Sequence, residues 1–394
     1  MTTAGRIYFP GLDALRFIAA LSVLVQHLGQ YEIQFGLGAP GWFHRLFLTG
    51  YDGVVLFFVL SGFLITYLLL SEQDRTGRLD IRRFYIRRIL RIWPLYFLLI
   101  AAALVVYVAF GRDTPGWSQP HHAGVFILYA ALLANVAETF GRPALGISQT
   151  WSIAVEEQFY LVWPLALRTA GGRLLTFTAA VVVVKLVALG VLLHTLGSTS
   201  RVTLLAHQLA FESIAIGAFG AVLLFRGARV LRLLYHPVGQ LATVAGFVAV
   251  IYTFDDAMIR SPTFGTASIS LVFLAVILNV GCNEGSLLRL GNPVLDYLGR
   301  ISYGIYMFHP LVIYGIVYSV WRLGWDPVHH VALQGALYAA AAGGTIGIAA
   351  LSYRYFETPF LRLKKRFAHV ESGGDAIPVG GFAGAPAMAT QRGS

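Results

Sequence analysis

The chain has 394 residues, of which 57% are hydrophobic and only 12% charged, and its mean hydropathy is +0.69. Those proportions exclude a water-soluble domain of this size and describe a polytopic membrane protein. The formal net charge of +10 does not point to nucleic acid, because the basic residues sit in short segments between apolar runs, as in loops facing anionic lipid. A single cysteine, Cys282, excludes an intrachain disulfide and leaves no cysteine-based metal cluster.

The first apolar run, 10–29, lacks a small-residue cleavage site and reads as a retained anchor helix. It carries Arg16 and His27, and a charge in hydrocarbon costs roughly 2.5–3.5 kcal/mol on insertion scales. At about 100° and 1.5 Å per residue, their eleven-residue spacing puts both on one helix face, about 16 Å apart along the axis. Snorkelling would account for Arg16 alone, and a buried hydrogen bond for His27 alone. Together they offer a fixed cation at one depth and a titratable base at another.

Further runs of spanning length fall near 50–71, 93–110, 150–167, 174–193, 206–225, 238–254, 264–281, 299–320 and 330–352, which makes ten. A shorter run, 123–137, decides the parity of every later loop. If it does not cross, nineteen Lys and Arg, including the Arg82 to Arg91, Arg226 to Arg232 and Arg362 to Arg366 groups, share one side against six on the other. The expected fold is therefore an all-α polytopic membrane bundle of about ten helices with both termini cytoplasmic, and 123–137 re-entrant or interfacial. Residues 1–370 are expected to form the transmembrane domain and 371–394, rich in Gly, Ala, Pro and Ser, a disordered tail.

Three stretches carry chemistry. In Arg82-Arg-Phe-Tyr-Ile-Arg-Arg-Ile-Leu-Arg-Ile-Trp-Pro94, Arg83, Arg87 and Arg91 form a stripe at helical spacing, with Arg82 and Arg88 beside it and Trp93 at the interface. Such a cluster anchors the helix to the cytoplasmic side and also suits phosphate oxygens. In Gln149-Thr-Trp-Ser-Ile-Ala-Val-Glu156-Glu157, two carboxylates enter an apolar helix, yet neighbours diverge by about 100°, so only one can face a given interior surface. Ser302, Tyr306 and His309 make a polar stripe, and Pro310 after His309 frees a backbone carbonyl that His309 can bond. The pairs His121/His122 and His329/His330 lack partners at metal spacing, and no metal is expected.

Gly11-Leu-Asp-Ala-Leu-Arg16 with ten residues to His27, Val59-Leu-Ser-Gly-Phe63, the Arg82 to Pro94 stretch, Trp151-Ser-Ile-Ala-Val-Glu-Glu-Gln-Phe-Tyr160, Ser302-Tyr-Gly-Ile-Tyr306 with His309, and Tyr355-Phe-Glu357-Thr-Pro359 occur in this order. With these six motifs the chain resembles the membrane-bound acyltransferase-3 family, which O-acylates sugars, polysaccharides and some antibiotics. The resemblance implies that His27 matches the family's essential histidine, with Arg16 its partner. It further implies a cell-membrane O-acyltransferase; on the physical reading of the basic cluster, an acyl-CoA donor, acetyl or short acyl, is expected to be held by Arg82, Arg83, Arg87, Arg88 and Arg91. His27 would act as general base, or by an acyl-histidine relay, and Glu156 or Glu157 would orient it or the acceptor. Trp151, Ser152, Tyr306 and His309 are the expected contacts to a glycan, lipid-linked sugar or macrolide-type acceptor. No fused domain follows the tenth run, so a second-stage transfer enzyme, where one is needed, is expected to be separate. The alternative is a transporter or flippase of a small anionic or acylated substrate; no inverted repeat supports it.

Overall fold

The computed structural model describes residues 5–37, 48–110, 124–140, 146–260, 264–325, 330–368 and 370–372. A short strand, β1 (Gly5–Ile7), leads into α1 (Leu12–Gln34), α2 (Gly50–Thr76) and α3 (Ile81–Phe110). Two short helices, α4 (Val125–Ala130) and α5 (Ala134–Phe140), precede α6 (Trp151–Ala170), α7 (Leu174–Leu196), α8 (Arg201–Gln208), α9 (Phe211–Phe225) and α10 (Val230–Tyr235). Then come α11 (Pro237–Arg260), α12 (Phe264–Cys282), α13 (Pro293–Arg300), α14 (Ser302–Arg322) and α15 (Val331–Ser352). A π-helical turn (Tyr353–Glu357), α16 (Thr358–Lys365) and β2 (Val370–Ser372) complete the chain described.

Among the described residues, eight helical stretches are long and apolar enough to cross a membrane, and Pro237–Tyr252 is a shorter apolar helix. One of the eight, Ser148–Leu196, is folded as α6 and α7 with a turn at Gly171 and Gly172. Every apolar run expected to span thus falls on helix, and the protein is an all-α, multi-pass membrane bundle.

The 123–137 run is broken. Leu132 has a left-handed φ of 59°, which ends α4 and starts α5 at a new angle, so neither piece is long enough to cross. A break at membrane depth exposes carbonyls that lipid cannot satisfy. Here the Tyr96 hydroxyl donates to Tyr129 O at 2.7 Å and the Gln158 amide to Leu132 O at 3.2 Å. The residues that cover the break therefore come from α3 and α6.

β1 and β2 pair in parallel, Gly5 with Val370 and Ile7 with Ser372, so both ends of the described chain lie on one side of the bundle. Glu371 and Ser372, expected in the tail, belong to this pair, while 373–394 lie outside the described residues. The third helix begins at Ile81, not near 93, so the arginine stretch is the first part of that same continuous helix. His121, His122 and His329 fall outside the described residues.

A close helix crossing explains the glycine in Val59-Leu-Ser-Gly-Phe63. A methyl group at Gly62 would overlap the Ile214 carbonyl, and one at Gly217 the Val59 carbonyl, so α2 and α9 touch backbone to backbone through reciprocal glycines. Small residues permit such approach in membranes, where dispersion must replace a hydrophobic driving force. Gly62→Ala and Gly217→Ala are each expected to destabilise the bundle by about 1–3 kcal/mol, since the opposing atom is backbone and cannot yield. Thermal stability of the detergent-solubilised variants checks this. With the N-terminus expected in the cytoplasm, a reporter fused after Gly197 is expected to report outside and one after Ala228 inside; the reverse pattern would overturn the orientation.

Candidate functional site

A cavity of about 370 Å³ opens at the end of the bundle where β1 and β2 pair, with Ile7, Phe9, Ala368 and Val370 among its lining residues. Helix spacing selects what reaches it from α3. Phe84, Arg87, Arg88 and Arg91, at i, i+3, i+4 and i+7, face the cavity. Arg83 instead turns to Asp80 at 3.3 Å, whose carboxylate also caps the start of α3 by accepting from the Arg83 N–H at 3.0 Å. Arg82 is exposed and lines no part of the cavity. Of the five arginines expected at a phosphate site, three are therefore in place and two are not.

The cavity adds cations to which the sequence reading assigned no binding role: Arg300 from α13, and Lys364 and Lys365 from α16. With Arg16, seven basic side chains face three carboxylates, Asp13, Glu72 and Glu156. Arg16 is held by Asp13 at 2.5 Å, and Arg87 by Glu72 at 2.7 Å. Among the described residues Arg88, Arg91, Arg300, Lys364 and Lys365 have no ion-pair partner. The Arg88 guanidinium lies over Phe84 (5.6 Å) and Tyr160 (5.7 Å), and its buried Nε has no hydrogen-bond acceptor. The signal for Lys364 and Lys365 was the run Thr358-Pro-Phe-Leu-Arg-Leu-Lys-Lys365, an amphipathic helix after a π-helical turn.

Deeper in, α6 contributes Glu156 and Tyr160, one turn apart. The Tyr160 hydroxyl donates to Glu156 Oε2 at 2.7 Å and is hydrogen-bonded to Ser61 of α2. Glu157 points elsewhere and accepts from Trp93 Nε1 at 2.9 Å, so only one of the adjacent acids reaches the cavity, as helix geometry requires. Ser152 and Tyr306 close the inner end, 2.7 Å apart, with the Tyr306 hydroxyl also donating to Gln149 O at 2.9 Å. Trp151 lies outside the cavity, edge-on to Phe58.

Neither His27 nor His309 lines the cavity. His309 is fully buried, its ring centroid 5.7 Å from that of Tyr306, and its Nε2 lies 2.6 Å from Nδ1 of His27. Tyr306 thus stands between the cavity and the histidine pair. His27 itself is partly exposed, and its neighbour Gln26 bonds the N–H of Gly50, the first residue of α2, at the end of the bundle opposite the β1–β2 pair. Arg16 and His27 share a helix but serve different compartments: Arg16 the cavity, His27 the layer beyond it. Near the far end of α1, the sequence reading missed Glu32, fully buried and accepting from the Tyr338 hydroxyl at 3.3 Å.

Residues 9–354 match the family model described as an acyltransferase domain. O-acetyltransferase OatA of Staphylococcus aureus is 28% identical over 371 residues, covering 89% of this chain and 57% of that protein. A provisionally named peptidoglycan O-acetyltransferase of Bacillus subtilis, YrhL, is 30% identical over 375 residues, 89% of this chain and 55% of that protein. The chain spans little more than half the length of these curated relatives. No solved structure shows significant similarity. With the model matched over nearly its whole length, the chain belongs to the acyltransferase-3 family of membrane-embedded acyltransferase domains.

Proposed function

We propose that the chain is a membrane O-acyltransferase that moves an acetyl or short acyl group from acyl-coenzyme A to a hydroxyl of a sugar-containing acceptor, with His27 as general base. The observation that carries this reading is the cavity: five cations without carboxylate partners lie along it, and an imidazole pair lies just past its inner end. Unpaired, mutually repelling guanidinium and ammonium groups in a confined space favour a polyanion, and the phosphorylated head of coenzyme A is one. The narrow thioester arm then runs inward along α3 and α6 towards Tyr306. For the carbonyl to reach His27, the Tyr306 hydroxyl must leave Ser152 and the Gln149 carbonyl, a rotation of one side chain.

At His27 the neutral imidazole takes the proton of the acceptor hydroxyl as that oxygen forms its bond to the thioester carbon. The carbon–sulfur bond breaks, and the departing thiolate recovers the proton from the imidazolium, so charge and protons balance. Acid–base work of this kind contributes about 10²–10⁴-fold. The acceptor is expected to arrive from the side opposite the cavity, where His27 is partly exposed. The aromatic side chains Phe35, Tyr314, Tyr318 and Trp321 pack around that end of α1 and α14, with ring centroids about 6 Å apart, and suit the apolar faces of sugar rings. The name carried by YrhL makes peptidoglycan the first acceptor to test.

Purified protein is expected to consume acetyl-CoA in the presence of a hydroxyl acceptor; a transporter would leave the thioester intact. His27→Ala should lower kcat by about 10²–10⁴-fold at unchanged protein level. Retained transfer would remove the general-base assignment. Arg91→Ala should raise KM for acetyl-CoA roughly tenfold, the loss of one charge-assisted contact. Arg82→Ala, outside the cavity, should leave KM unchanged.

A further inference from the structure

Pro310 sits in the interior of α14 and has no N–H for the carbonyl of Tyr306, four residues earlier. In hydrocarbon that carbonyl needs another donor. His309 Nδ1 lies 2.7 Å from it. A carbonyl oxygen only accepts, so the proton of this contact belongs to Nδ1 of His309. In a neutral imidazole the other nitrogen is then a bare acceptor. That nitrogen, Nε2, is the one 2.6 Å from His27 Nδ1, with the two ring planes 15° apart. The contact therefore requires a proton on His27 Nδ1, and His27 Nε2 is left as the bare lone pair.

The opposite assignment requires a doubly protonated His309. That ring is fully buried in the bundle, and among the described residues no carboxylate is bonded to it, so its charge would be uncompensated. The chain of donors thus runs one way only, from His27 through His309 to the carbonyl that Pro310 leaves unbonded.

We propose that His309 is a positioning residue: by accepting from His27 Nδ1–H it fixes the tautomer in which His27 Nε2 is the basic nitrogen. The inference rests on the reading of His27 as general base. An orienting partner for a catalytic imidazole is often a carboxylate. A second neutral imidazole does the same directional work without placing an anion in hydrocarbon, where a charge is expensive. His309 was expected to touch acceptor from the sequence; fully buried behind Tyr306, with one ring nitrogen on His27 and the other on the Tyr306 carbonyl, it is placed to hold the base instead.

The tautomer is read directly by nitrogen NMR of protein labelled with ¹⁵N-histidine, with His27 assigned by difference from His27→Gln. In the unaltered protein His27 Nε2 is expected in the range of a bare ring nitrogen and Nδ1 in that of an N–H. In His309→Ala the two tautomers of His27 should mix. Acyl transfer by His309→Ala should fall by about 10–10²-fold in kcat with KM for acetyl-CoA unchanged, part of the 10²–10⁴ that a base supplies. His309→Gln, whose amide both accepts and donates, should recover most of it. A protonated Nε2 on His27 in the unaltered protein overturns the proposal, as does a bare Nε2 that persists in His309→Ala with full kcat. Undiminished transfer by His27→Ala would instead overturn the base reading, whatever the tautomer.

Discussion

Hydrocarbon supplies no hydrogen bonds, and that single deficit organises this molecule. Each irregularity in its helices frees a polar group that must be met from within the protein. The break at Leu132 is met by Tyr96 and Gln158, and the carbonyl opposite Pro310 by His309. Lys185 in the apolar helix α7 is met by Glu212 at 3.4 Å and by the Ala206 carbonyl. These obligatory partners do more than cancel a penalty. Each one fixes a side chain in one orientation, and at His309 the side chain so fixed is the neighbour of the imidazole at residue 27.

The cavity follows the opposite logic. Asp13 and Glu72 neutralise Arg16 and Arg87, which leaves a surplus of positive charge crowded along α3, α13 and α16. Like charges held together repel, and the packing elsewhere, above all the reciprocal glycine crossing of α2 and α9, must hold them in register. Arg88 is partly accommodated on the faces of Phe84 and Tyr160, which a guanidinium tolerates better than an ammonium does. An anion entering this space meets side chains already aimed at it.

Most of the bundle was legible because a spanning helix announces itself by length and apolarity alone. The short run at 123–137 was legible by a different route, the lopsided distribution of arginine, and Leu132 shows the backbone reason. The divergence of Glu156 and Glu157 was also readable, since adjacent positions on a helix cannot face one way. What failed was inference across helices. The basic stripe through Arg83 is correct helical geometry, but the face turned to the cavity is the one through Phe84 and Arg88, and only packing against α16 chooses it. Lys364, Lys365 and Arg300 arrive from the far end of the chain. His27 and His309 are 282 residues apart, and nothing local to either predicts their contact.

The parallel pairing of β1 with β2 joins residue 5 to residue 370. Two segments so distant can meet only after every intervening helix has been threaded into the bilayer, and only when those helices alternate in direction without a slip. A single inverted insertion would strand the two segments on opposite leaflets. Among the described residues the pair is therefore a late long-range contact, and because Ile7 and Val370 line the cavity, that wall is completed only in chains whose insertion succeeded.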